Sequence, residues 1–309
     1  MIITQNLCKR YGKVNAVNNL NLNIRSGTIF GIVGENGAGK TTTLSMLATL
    51  VTPSSGKALV NGFELRREAK KVRRSIGYMP DAFGVYDELT AYEYLQFYAE
   101  CYGVQKRVWR TRADELLESV DLVDKRRFYV NSLSRGMQQR LEIARCLMHD
   151  PAVLILDEPS SGLDPRSRIE MRSVLSRLRA SGKTVVISSH ILQELAEVAD
   201  EIGIIRGGEV AAVAAINVMM SHTSAHRTLW LAGQAEWSKW TAVLQSDPHI
   251  LEFSPRADGV EVVYAGTLHQ QAELMERIIA QGITLYQFAE RPTDIEALFL
   301  RLTERTVRS

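Results

Sequence analysis

Gly34-Glu35-Asn36-Gly37-Ala38-Gly39-Lys40-Thr41 is a complete G-x-x-x-x-G-K-T stretch. The apolar run Ile29-Phe30-Gly31-Ile32-Val33 precedes it, and a helical pattern with Leu44, Leu47, Ala48 and Val51 on one face follows. Strand, Gly-rich loop and helix in that order are the context in which this pattern cradles phosphate. Glycines let the backbone wrap an anion closely, its N–H groups donate to phosphate oxygens, and the helix N-terminus adds a favourable dipole. Gly34, Asn36, Gly37, Ala38 and Gly39, with Lys40, Thr41 and Thr42, are therefore the expected nucleotide contacts. Lys40 would reach the β and γ phosphates, and the Thr41 hydroxyl would hold Mg²⁺. The ligand implied is a nucleoside triphosphate.

The length, 309 residues, suggests two domains. A net charge of +2 is far from the strongly basic balance of a dedicated nucleic-acid binder, so no nucleic-acid partner is expected. Cys8, Cys101 and Cys146 lack C-x-x-C spacing and read as thiols in a reducing compartment. The N-terminus has no charged head followed by an apolar run, so no signal peptide is expected. The longest mostly apolar stretch, Val210 to Met220, falls well short of the about 20 residues that span a bilayer. A soluble, cytoplasmic chain is the expectation.

Alternating strand and helix patterns run to about Val213. Val153–Leu156, Thr184–Ile187 and Ile202–Ile205 are short apolar runs suited to buried parallel strands. Between Leu89 and His149 the strand signals vanish and helices are expected over Ala91–Cys101, Thr111–Val120 and Met137–Met148. The expectation is an α/β core, residues 1–215, with a helical insertion at about 89–149. Residues 216–309 differ in character, with 8 Lys/Arg against 11 Asp/Glu and three of the four tryptophans, Trp230, Trp237 and Trp240. Their pattern is strand (Thr228–Leu231), helix (Glu236–Leu244), a hairpin across Asp258-Gly259, helix (Leu268–Ala280), strand (Ile283–Phe288) and a last helix (Thr293–Leu302). The order β-α-β-β-α-β predicts a smaller α+β, ferredoxin-like domain.

Asp157 and Glu158 end the run Val153–Leu156, and carboxylates at the end of a buried parallel strand lie at the ligand edge of the sheet. Asp157 suits the Mg²⁺ shell and Glu158 is placed to polarise an attacking water. Leu133-Ser134-Arg135-Gly136-Met137, opening a helical pattern, resembles the LSGGQ signature of ABC ATPases. Further motifs of that family fall in order. Tyr11 matches the aromatic that stacks on adenine, Ser161-Gly162-Leu163-Asp164 the D-loop, and His190 after Ser188-Ser189 the switch histidine.

The resemblance covers roughly residues 1–215 and implies a P-loop ABC ATPase domain with a mixed sheet. It also implies a dimer in which Ser134 and the Gly136 amide reach the partner's γ-phosphate, His190 senses that phosphate, and separate transmembrane permease subunits complete a transporter. The chain would then sit peripherally on the cytoplasmic face of a membrane, with the helical insertion near Asp81–Tyr86 meeting the permease. Arg291-Pro292-Thr293-Asp294-Ile295-Glu296-Ala297-Leu298-Phe299-Leu300 resembles the ending of export ATPases for drugs, antibiotics or polysaccharides, the ABC-2 type. Two places depart from the family pattern: Met137 stands for Gln in the signature, and Asp81 stands where Gln usually touches Mg²⁺ and the attacking water. An ionised Asp offers oxygen to a metal but donates no N–H. A soluble ABC ATPase acting on DNA or ribosomes, and a metabolic P-loop kinase, are the rival readings. The first would bring coiled coils or two ATPase modules, and the second would need no signature.

Overall fold

The computed structural model describes residues 1–82, 84, 86, 88–216 and 227–291. Two compact units divide the chain, Met1–Ile216 and Asn217–Ser309.

The first unit contains two sheets. The larger one has six strands. In chain order these are β3 (Ile29–Val33), β6 (Ile76–Met79), β7 (Val153–Leu156), β8 (Thr184–Ser189), β9 (Glu201–Arg206) and β10 (Glu209–Ala215). Their spatial order is β10-β9-β3-β8-β7-β6, parallel throughout except for β10, which returns antiparallel on β9. β3, β7 and β8 are buried at every residue, as continuous runs of Val, Ile and Leu require when both sheet faces are covered. The adjacent central strands β3, β8 and β7 carry at their C-terminal ends the loops after Val33, Ser189 and Leu156. That is where a parallel sheet places its ligand.

Four strands within the first 64 residues form a second, antiparallel sheet. β1 (Ile2–Tyr11) and β2 (Val14–Ile24) form a long antiparallel hairpin, and β1 also pairs with β4 (Ser55–Val60), which pairs with β5 (Phe63–Glu64). Half-polar alternation such as Asn19-Leu20-Asn21-Leu22-Asn23-Ile24 marks strands with one wet face. Leu20, Leu22 and Ile24 are buried and the asparagines between them face outward.

The helical stretch comprises α3 (Ala91–Cys101), α4 (Lys106–Ser119) and α5 (Arg135–Leu147), and one bridge, Thr90 to Tyr129, is its β element among the described residues. α3 starts at a full capping box, Thr90 with Glu93. α4 begins five residues before the expected Thr111. The basic stretch Lys106–Arg110 reads as surface, yet it includes Trp109, which is buried. Arg66-Arg67-Glu68-Ala69-Lys70-Lys71-Val72-Arg73-Arg74 is a strongly basic stretch, helical only from Ala69, as α2 (Ala69–Ser75), with Arg73 donating to the Thr49 hydroxyl and Lys71 paired with Glu68.

The second unit holds β11 (Arg227–Gln234), α7 (Trp237–Ser246), β12 (Ile250–Arg256), β13 (Gly259–Tyr264), α8 (Leu268–Ala280) and β14 (Thr284–Arg291). Its sheet is antiparallel in the order β12-β13-β11-β14. Leu229, Leu231, Val260, Val262 and Tyr264 on one sheet face pack with Trp240, Leu244, Leu274 and Ile278 of the two helices. Trp240 is thus a core residue. Trp230 projects from β11 between Leu229 and Leu231 and carries the Arg291 guanidinium over its ring at 3.8 Å. The expected helix Thr293–Leu302 and the stretch Pro292–Leu300 lie outside the described residues.

Candidate functional site

β3 ends at Val33, and the next six residues turn back over the N-terminus of α1 (Lys40–Leu47). Two glycines there are obligatory on geometry. A Cβ on Gly34 would lie 2.4 Å from the Ile205 carbonyl oxygen, and one on Gly39 would lie 2.4 Å from that of Ala16. Gly39 also sits at φ +106°, which L side chains avoid. Gly39→Ala is expected to displace the loop, lower the thermal midpoint through a strain of about 1–3 kcal/mol and abolish nucleotide binding. Calorimetry and fluorescent-nucleotide titration of the variant check both effects.

Lys40 is 6% exposed, and its ammonium donates to the Gly34 carbonyl at 2.7 Å. It also faces Glu158 Oε1 at 3.5 Å. The other oxygen of Glu158 meets His190 Nδ1 at 2.9 Å. Lys40, Glu158 and His190, singled out from three distant places in the sequence, therefore form one contact chain. Glu158 is held in an uncommon conformation for a non-glycine residue, φ +50°, and its amide donates to the Ser188 hydroxyl at 2.8 Å. Ser188 in turn donates to Asp157 Oδ1 at 2.6 Å. This fully buried serine was not among the expected site residues, although its place at the end of a buried strand beside His190 is the signal that marks it.

Asp157 is fully buried at the end of β7. Burial pushes its carboxyl above the ordinary carboxylate range. Bonds from Ser188 and the Thr41 hydroxyl pull it down, and the charges of Asp81 and Glu158 push it up again. Its Oδ2 is buried without a hydrogen-bond partner. A buried carboxylate with a free oxygen, beside the threonine that opens the helix after the phosphate loop, fits a hard divalent cation. Asp81 is exposed, beyond the end of β6, and near enough for its charge to act on Asp157.

The other expected residues lie in two further places. Tyr11 closes β1, half exposed, with the Lys9 ammonium 4.9 Å from its ring centroid. Ser134 caps α5 and accepts from the Met137 amide, and it is exposed. Gly136 is buried, with no room for a Cβ beside the Ser167 hydroxyl. Ser167 also donates to Asp164, the N-cap of α6 (Pro165–Ala180), at 2.6 Å. Signature and D-loop are thus one packed surface. Among the described residues no hydrogen bond or ion pair joins Ser134, Gly136 or Asp164 to the phosphate loop of the same chain.

A model of the family described as "ABC transporter" matches residues 17–161. Over its whole length the chain is 32% identical to the linearmycin resistance ATP-binding protein LnrL of Bacillus subtilis, 100% of each chain being covered. The chain belongs to the ABC transporter ATP-binding proteins. The bacitracin transport ATP-binding protein BcrA of Bacillus licheniformis is 35% identical over 98% of this chain and 97% of its own. Among solved structures, a dimeric ATP-binding cassette in a post-hydrolysis state bound to ADP and Pi is 29% identical, with a TM-score of 0.63. It covers 70% of this chain and 99% of its own. This ABC protein is accordingly an ATP-binding, ATP-hydrolysing subunit, and among its described residues no helix is long and apolar enough to cross a membrane.

Proposed function

We propose that this ABC protein drives export of a drug or antibiotic through separate membrane subunits, working as a homodimer held peripherally on the cytoplasmic face. The observation that carries this reading is the extent of the similarity. The cassette with ADP and Pi covers 70% of the chain, whereas the linearmycin and bacitracin proteins cover 100% and 98% of it, the second unit included. The similarity to subunits named for antibiotic resistance and transport therefore runs through the sequence of both units. We assign residues 216–309 to dimer support or regulation.

Lys40 neutralises charge on the β and γ phosphates, and the amides of the loop from Gly34 to Thr42 hold them. Thr41 and Asp157 would hold Mg²⁺, which supplies electrostatic stabilisation of the transferring phosphoryl group. Glu158, its oxygens directed by Lys40 and His190, takes the proton of the attacking water. Ser134, exposed at the N-terminus of α5, serves the second copy's nucleotide, as a helix N-terminus facing outward suits an anion brought by a partner.

Asp81 we place in the metal's outer shell. Asp81→Gln is expected to move Asp157 back toward its ordinary range by removing a raising charge, and to shift the Mg²⁺ concentration for half-maximal turnover. An unchanged Mg²⁺ titration would count against the assignment. The whole reading is tested by purifying tagged Glu158→Gln protein from native membranes and identifying what comes with it. A polytopic membrane protein is the expected companion. Recovery with ribosomes or DNA instead would overturn the export reading.

A further inference from the structure

Among the described residues β6 is an edge strand, with β7 its one neighbour in the sheet. Met79 turns its carbonyl toward β7 and accepts from the Asp157 amide at 2.9 Å. The carbonyls of Ile76 and Tyr78, alternating with it, face away from β7 and would have no partner strand. Two side chains one helical turn apart take that place. Arg145 donates to the Tyr78 carbonyl at 2.9 Å, and His149 Nε2 lies 2.8 Å from the Ile76 carbonyl. The seat is tight, since a Cβ on Gly77 would stand 2.6 Å from the Cys146 carbonyl oxygen. α5, which opens at Ser134, is thereby registered against the strand that ends two residues before Asp81.

Arg145 is itself fixed. Its guanidinium makes two bonds to Glu142 Oε2, at 3.0 and 2.6 Å, and lies over the Tyr98 ring. The Tyr94 hydroxyl donates to Glu142 Oε1. Tyr86, in the loop that follows Asp81, packs its ring on Tyr94 and Phe97 of α3. Glu142 and Tyr94 are each 1% exposed. A carboxylate buried this deeply is a costly way to fill a core position, and apolar residues of the same volume would serve stability at least as well.

We propose that Tyr94, Glu142 and Arg145 are positioning residues for ATP hydrolysis: a buried clamp that holds the signature helix and the Asp81 loop in one fixed relation. The clamp starts at α3, passes through Glu142 to Arg145 and ends on the backbone of β6, whose neighbour β7 carries Asp157. The inference rests on hydrolysis at the site described above, and on the Asp81 assignment for its metal readout alone.

Tyr94→Phe deletes one hydroxyl and keeps the ring, so it is the first variant to make in the full chain, with Glu142→Gln and Glu142→Asp beside it. Turnover is measured per titrated ATP-binding site, together with KM for ATP and the thermal midpoint. Displacement of the β6 end is expected to lower kcat about ten- to a hundredfold, because misplacement by a fraction of an ångström costs rate even from outside the chemistry. KM for ATP is expected to stay within about twofold, since the phosphate loop is untouched. Tyr94→Phe and Glu142→Gln combined should do little more than the worse of the two, and Glu142→Asp should recover part of the loss. A lowered thermal midpoint with unchanged kcat per site would make the network merely structural and overturn the proposal. If Glu142→Gln does not fold, Tyr94→Phe decides alone. A fall in kcat with an unchanged Mg²⁺ titration leaves the clamp standing and removes Asp81 from the metal.

Discussion

Glu158→Gln is expected to bind ATP as the parent does and to hydrolyse it about 10²–10⁴ times more slowly, a loss of about 3–5 kcal/mol of barrier lowering. The geometry says why binding survives. The carboxylate touches Lys40 at 3.5 Å and His190 Nδ1 at 2.9 Å, and neither contact requires a negative charge. An amide can turn its oxygen to the Lys40 ammonium and its NH₂ to His190, provided that the imidazole presents Nδ1 as acceptor. What an amide cannot do is take a proton from water. Removing one negative charge beside the γ-phosphate also favours retention of the intact triphosphate, so the variant should accumulate with ATP bound and as a dimer. Single-turnover hydrolysis, retention of labelled ATP and sizing chromatography are the three readouts. Turnover near that of the parent would take Glu158 out of the role of base.

Most of this site was legible because its parts are short chemical patterns fixed to strand ends. The phosphate loop, Asp157-Glu158 and His190 each follow an apolar run, and parallel strands deliver all three to one edge of the sheet. The hairpin of β1 and β2 was harder to see, because alternating Asn and Leu carry the strand signal without saying which sheet the strand joins. Ser188 gives no such signal, because a serine among apolar residues has no motif of its own. Its role comes from the Asp157 oxygen and the Glu158 amide that meet it, and these are 31 and 30 residues away in the chain. The Glu142 clamp was invisible for a similar reason. In sequence Glu142 and Arg145 are an ordinary i, i+3 pair on a helix, and only the edge position of β6 shows what they hold.

Lys40→Ala is expected to fail differently, losing both binding and turnover. The Lys40 ammonium donates to the carbonyls of Gly34 and Glu35 and faces the Glu158 carboxylate. A triphosphate offers this buried cation stronger partners, and charge-assisted bonds of that kind contribute about 1.5–3 kcal/mol, so ATP affinity should fall about ten- to a hundredfold. Turnover at saturating ATP should fall a further about 10²–10³-fold, the cost of removing one fixed positive donor from the developing charge. Lys40→Arg is not expected to restore either quantity. The loop closes on a slender ammonium between Gly34 and Glu158, and a planar guanidinium has a different shape and a different set of donors. Equilibrium binding of a fluorescent ATP analogue and steady-state ATPase assays separate the two losses. Unchanged affinity with lost turnover would confine Lys40 to the transition state, whereas unchanged values of both would remove it from the site. The pair of variants therefore divides the contact chain at Glu158. Cutting on the carboxylate side stops chemistry and keeps the ligand, while cutting on the lysine side releases the ligand as well.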